Sequence, residues 1–148
     1  MFLDGGYRRL ADPGRAGVVS LLDQGPVYML SALLYFRDTE IDRPVFRRWL
    51  NKVLTAWRLR LDGIVWLNAA APFLAGRINS RVQDHIIKGA TEPRIRDFVA
   101  ERRAALERAV AMMSAGPDAP AVLRFDTGRQ SPQEIAARII AEWGLAGR

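Results

Sequence analysis

The 148-residue chain has no cysteine, which excludes a disulfide framework and any thiolate metal site. Histidine is almost as scarce. His85 stands alone, so one chain cannot supply a multi-histidine zinc site. Lysine is reduced to Lys52 and Lys88 among 22 basic residues. Long apolar runs are missing as well: none approaches the ~20 residues that span a bilayer. The start of the chain, Met1-Phe2-Leu3-Asp4-Gly5-Gly6-Tyr7-Arg8-Arg9, lacks the apolar stretch of a signal peptide. A soluble cytoplasmic protein, with no membrane partner, is the expectation that remains.

What is present reads as a folded protein. Hydrophobic residues make up 49% of the chain, enough for a sizeable core, and the length suits one domain of ordinary size. The formal net charge of +6 invites a phosphate or nucleic-acid reading. The distribution argues against nucleic acid. Arginines are spread along almost the whole chain, no block of five like charges occurs, and no aromatic-plus-basic pattern of an RNA-binding module is visible. Most of these arginines read as solvated surface.

Residues 1–16, with Gly5-Gly6 and Asp12-Pro13-Gly14, show little periodicity and read as an irregular segment. Residues 17–148 read as one α/β domain in which strands alternate with helices, which implies a parallel sheet. Short continuous apolar runs mark three buried strands: residues 17–23, Gly63-Ile64-Val65-Trp66-Leu67-Asn68, and Ala121-Val122-Leu123-Arg124-Phe125-Asp126.

Proline and capping residues mark the helices. Gly25-Pro26 opens one that is apolar on most sides and is therefore expected to be buried. Asp42 can cap the next, with Pro44 in its first turn. Its stripe is Val45, Phe46, Trp49, Leu50, Val53, Leu54 and Trp57. Pro72 opens a third, in which Leu74, Ile78 and Val82 share one face and Phe73, Arg77 and Arg81 another. Residues 84–93 read as a loop. A long helix follows at about 94–113, its stripe running from Ile95 and Val99 through Ala109 to Met113. Ser131-Pro132-Gln133-Glu134 is a capping box: the serine hydroxyl accepts from the amide three residues on, and the glutamate reaches back.

Chemistry concentrates in a few places. Ligands of open α/β sheets sit at the carboxyl ends of the strands, and Asp23 ends the run Gly17-Val18-Val19-Ser20-Leu21-Leu22. Its carboxylate can serve a magnesium ion, directly or through water, or accept a proton from an attacking hydroxyl. It can equally be a turn residue that caps the helix after it. Gln24 can reach substrate or an ordered water, or simply face solvent. Arg77 and Arg81, four residues apart on one helix, lie over one another and can converge on a phosphoryl group with two planar, permanently charged forks. The plain alternative is a solvated helix face. His85 and Lys88 carry no motif that would pair them with a partner, and the four tryptophans fit the core better than a base-stacking platform.

Taken in order, these segments resemble the later part of a P-loop kinase of the nucleoside and nucleotide kinase type, thymidylate-kinase-like in outline. Val18-Val19-Ser20-Leu21-Leu22-Asp23-Gln24-Gly25-Pro26 resembles the family's strand and Asp-Arg/Gln turn. Asp62-Gly63-Ile64-Val65-Trp66-Leu67-Asn68-Ala69-Ala70-Ala71-Pro72 is similar to the next strand, which there leads into the arginines of a mobile lid, matched by Arg77 and Arg81. Val122-Leu123-Arg124-Phe125-Asp126-Thr127-Gly128 resembles the last strand and the loop that lies against the adenine of ATP. The resemblance covers about residues 17–144. It implies a three-layer α/β/α parallel sheet, incomplete at about three strands with flanking helices. It also implies ATP and magnesium as cofactors, Asp23 as the metal or base residue, Gln24 as a substrate contact, and Asp126, Thr127 and Gly128 as the cofactor loop.

One family element is missing from the 148 residues: the Gly-x-x-x-x-Gly-Lys-Ser/Thr loop that cradles phosphates with backbone amides. The expectation is therefore the carboxy-terminal part of a longer kinase, with a strand lost from the middle of the sheet, negligible turnover and weak ATP affinity. The leading function is ATP-dependent phosphoryl transfer to a small-molecule acceptor. The alternative is a non-catalytic binding or assembly module that uses the apolar stripes of the 42–60 and 94–113 helices against a partner or a second copy. Nucleic-acid binding through net charge is the weakest of the three.

Overall fold

The computed structural model describes residues 19–37, 41–80, 82 and 86–145. Among these residues the chain is α/β, with five helices and a two-stranded parallel sheet. The elements in chain order are α1 (Pro26–Phe36), α2 (Pro44–Arg58), β1 (Gly63–Asn68), α3 (Ala71–Ser80), α4 (Glu92–Met113), β2 (Ala121–Asp126) and α5 (Pro132–Glu142). They group into two compact units. Among the described residues, unit 1 takes those up to Ile64 and Ala104–Val122, and unit 2 takes those of Val65–Arg103 and those from Leu123 onward.

Unit 1 is a helical packing around large apolar side chains. The stripe of α2 supplies Leu50, Val53, Leu54 and Trp57, all buried, against Leu30 and Leu34 of α1 and Ala105, Ala109 and Met113 of α4. Proline begins both α1 and α2, at positions that need no amide donor. Arg58, in the last turn of α2, donates from Nε to the Met113 carbonyl at 3.2 Å and from Nη2 to the Met112 carbonyl. It thereby satisfies two of the carbonyls that the end of α4 leaves without helical partners.

Several expectations are corrected here. The expected strand over 17–23 is absent across its described part: Val19 to Leu22 are irregular and exposed, and Asp23-Gln24 is a turn. An apolar run records a tendency to be covered but does not name the strand it pairs with, and the described residues offer this one no ladder partner. Residues 17 and 18 lie outside the described residues. Asp23 does not cap α1, because Gly25 is the N-cap and takes no side-chain bond. Gln24 turns the chain with a positive φ of 50°, and Gly25 follows where a β-carbon would meet the Leu22 β-carbon at 3.0 Å. Asp42 likewise yields the N-cap of α2 to Arg43 and pairs with Arg47 at 2.8 Å instead. Finally, α1 buries one face only. Tyr28 and Phe36 remain exposed, as does Val45 on α2.

Unit 2 contains the paired ends of the sheet. The Thr127 amide, just past β2, donates to the Asn68 carbonyl at the end of β1 at 2.7 Å. Two carboxyl ends side by side are the mark of parallel strands. Each strand has one neighbour, leaving one unpaired edge apiece among the described residues. The connection between them runs through α3 and α4, whose Ile78, Ile95 and Val99 form a small core with Ile87 of the intervening turn. The expected face of α3 loses Val82: among the described residues the helix covers Ala71–Ser80, and Val82, at a bend, is almost fully exposed. At α5 the capping box forms as expected. Ser131 Oγ accepts from the Glu134 amide, and Glu134 Oε2 accepts from the Ser131 amide at 2.7 Å.

Candidate functional site

The carboxyl ends of β1 and β2 carry the polar chemistry of unit 2. Side chains alternate along a strand, so Trp66 and Asn68 on β1 share a sheet face, as do Arg124 and Asp126 on β2. Beyond the strand ends, Thr127 makes two bonds to the same acceptor: its amide and its hydroxyl (3.0 Å) both donate to the Asn68 carbonyl. This ties the two strand ends together.

Arginine joins this edge from three elements. Arg77, near the end of α3, donates from Nη1 to Thr127 Oγ1 at 3.0 Å and from Nη2 to the Thr127 carbonyl at 3.2 Å. Its guanidinium also lies 4.5 Å over the Phe73 ring, one turn earlier in α3. Stacking and the forked pair of bonds hold the side chain in place although it is exposed. Arg103, from α4, donates from Nη2 to Asn68 Oδ1 at 3.1 Å and to the buried Ala69 carbonyl at 2.6 Å. Arg124, from β2, lies 4.0 Å over the Trp66 ring. Beside them opens a cavity of about 440 Å³ lined by Trp66, Asn68, Ala69, Arg103, Arg124 and Asp126, among others.

The loop after β2 is folded on itself. Asp126 Oδ1 accepts from the Gly128 amide at 2.8 Å, while Oδ2 stands 3.6 Å from Arg129 Nε. The Asp126 amide donates to Gln130 Oε1 at 3.0 Å. A β-carbon on Gly128 would lie 3.1 Å from Asp126 Oδ1 and 3.9 Å from Phe73, so this backbone is approached closely on one side.

The structure thus joins two of the residues singled out from the sequence, Arg77 and Thr127, although they are 50 positions apart. Asp126, the last residue of β2, accepts from the Gly128 amide of the loop that follows. Asp23 and Gln24 belong to unit 1, both exposed in their turn. Arg81 and His85 lie outside the described residues, and Lys88 is exposed in the turn before α4. Among the described residues no group of three or more His, Cys, Asp or Glu side chains could hold a metal ion. Asp23 is a single carboxylate, and magnesium is held by one or two carboxylates only with the help of waters and substrate phosphates. The described residues therefore do not fit a resident metal.

Arg103 and Arg124, which line the candidate site, read from the sequence only as surface arginines. For Arg124 a signal existed: a charge inside an otherwise apolar strand run is out of place in a doubly covered parallel sheet. Arg103 follows Arg102 in an arginine-rich helix and carries no comparable mark. No helix among the described residues is long and apolar enough to cross a membrane. No family model, curated protein or solved structure matches the chain.

Proposed function

We propose that this chain handles ATP in phosphoryl transfer to a small-molecule acceptor, as a kinase-like α/β protein whose nucleotide edge is the carboxyl end of β1 and β2. The observation that carries this reading is the Arg77–Thr127 contact. It brings an arginine of the helix after β1 onto the loop after β2, the pieces that the resemblance to nucleoside and nucleotide kinases assigns to the lid and to the adenine loop. Phosphoryl transfer depends mainly on positioning and charge neutralisation. Arg77 spends two donors on Thr127 and keeps the remainder of its fork for phosphate oxygens. The close backbone approach at Gly128 suits a loop that meets a flat base through its main chain.

Magnesium enters this scheme with the nucleotide, not as a resident ion. With no Gly-x-x-x-x-Gly-Lys-Ser/Thr loop in the 148 residues, ATP is held weakly and turnover by this chain alone is negligible. Titration of the purified protein with MgATP by isothermal calorimetry tests the reading. The expected result is millimolar affinity, about −4 kcal/mol, lost in Arg77→Ala. Tight magnesium-dependent binding contradicts the weakness, and indifference to nucleotide contradicts the function.

An assembly role remains the second reading, on altered grounds. Apart from exposed Val45, the stripes of α2 and α4 expected to meet a partner pack into the protein's own core. What favours assembly instead is the exposed run of Val19, Leu21 and Leu22 in unit 1. A concentration-dependent increase in mass by light scattering, unaffected by nucleotide, supports that reading.

A further inference from the structure

We infer that the cavity lined by Arg103 and Arg124 is a binding site for a small organic phosphomonoester; it adjoins the nucleotide edge at the carboxyl ends of β1 and β2 but is built on other arginines than Arg77 and does not rest on the kinase reading. The two arginines differ in how they are held, and together they make a receptor. Arg103 is anchored through one nitrogen: Nη2 carries both of its bonds, to Asn68 Oδ1 and the Ala69 carbonyl. Nε and Nη1 have no protein partner among the described residues, so a half-buried guanidinium is held in position with an unused donor edge. Arg124 makes no hydrogen bond or ion pair among the described residues. It rests on the indole of Trp66 at 4.0 Å, which fixes its plane and leaves its donors available.

The charge of the cavity is positive. Its carboxylate, Asp126, is already occupied, by the Gly128 amide on one oxygen and by Arg129 on the other. Two arginines that line one space and carry unused donors suit the three oxygens of a phosphate, which accept charge-assisted bonds. The depression is open to solvent, and its volume of about 440 Å³, within the range of small-molecule sites, leaves room for an organic part beside a phosphate. The small side chains of Ala69 and Ala70 and the edge of the indole leave room for the organic part. The ligand is accordingly a free phosphorylated metabolite of sugar-phosphate size.

Calorimetric titrations of the full chain with glucose 6-phosphate, inorganic phosphate and unphosphorylated glucose test the assignment. The expected order is glucose 6-phosphate tightest, inorganic phosphate weaker and glucose without measurable binding. Arg124→Ala, at an exposed position, leaves the fold intact by circular dichroism and weakens glucose 6-phosphate by about 10-fold. Arg124→Lys restores only part of the loss, because it keeps the charge but not the fork. Equal affinity for phosphate and glucose 6-phosphate overturns the organic ligand. No binding of either, or unchanged affinity in Arg124→Ala with the fold preserved, overturns the site. Glucose 6-phosphate binding that is lost in Arg124→Ala but kept in Arg77→Ala supports a site distinct from the Arg77–Thr127 contact; loss in both variants overturns that distinction.

Discussion

Unit 1 and unit 2 are held together by different physics. In unit 1 the residues that pack are large and deeply covered: Trp57, Leu30 and Leu50 are at most 2% exposed, and Arg58 closes the end of α4 at its margin. In unit 2 the apolar cluster is four residues, Ile78, Ile87, Ile95 and Val99, with partly buried neighbours. Trp66, Phe125 and Ile135 are also buried in this unit, and polar clamps join the strand ends: Thr127 on Asn68, Arg77 on Thr127, Arg103 on Asn68 and Ala69. Apolar packing is indifferent to ligands. Hydrogen-bonded arginines beside a cavity are poised to respond to them. The contrast separates a region with a deep apolar core from one whose polar groups line the candidate site.

Breaking the contrast on its apolar side has the largest effect. Trp57→Ala removes the largest fully buried side chain of unit 1 and is expected to lower unfolding free energy by about 3–5 kcal/mol, measured by urea denaturation. Set against a typical total of about 5–15 kcal/mol, that abolishes or nearly abolishes folding at ambient temperature.

On the polar side, Arg103→Ala leaves the Asn68 side-chain oxygen and the Ala69 carbonyl without a donor. A loss of about 2 kcal/mol is expected. Arg103→Lys recovers little of it, because a single ammonium does not reproduce the bridge. A double-mutant cycle with Asn68→Ala reads the coupling directly; additivity would show that the clamp contributes nothing.

The cap of α5 gives a smaller effect with a pH signature. Ser131→Ala is expected to cost about 1 kcal/mol. The bond from the Ser131 amide, and next the one from its hydroxyl, hold the Glu134 carboxyl below the usual glutamate range. A depressed folded pKa means a contribution present above the unfolded value and lost as pH falls through the folded one. Ser131→Ala removes the hydroxyl and leaves the amide, so the Glu134 pKa should rise part of the way back, as seen by NMR titration of its side chain.

The ease with which each region is read from sequence follows the same contrast. Both observed strands have the limits their apolar runs suggest, since Gly63 and Asn68, and Pro120 and Asp126, bracket them closely. The buried stripe of α4 and the capping box of α5 are local patterns and are equally legible. The run ending at Asp23 shows the limit: its composition suits a strand, but pairing depends on a neighbour that no local pattern names. Arg77 and Thr127 are each readable as candidates, yet their contact spans 50 positions and depends on parallel pairing that brings the strand ends together. Arg103 was hidden because one arginine in a basic helix looks like its neighbours, and only the fold decides which one faces Asn68.

The smallest effect on stability is expected at Arg77, the residue on which the proposed function rests. Arg77→Ala removes exposed contacts and should cost no more than about 1 kcal/mol, while abolishing the nucleotide response. The most direct measurement is an amide NMR titration of the full chain with MgATP. Shifts concentrated at Thr127, Gly128 and the end of α3, and lost in Arg77→Ala, are the predicted result. Shifts absent from that edge, or unchanged in the variant, would contradict it.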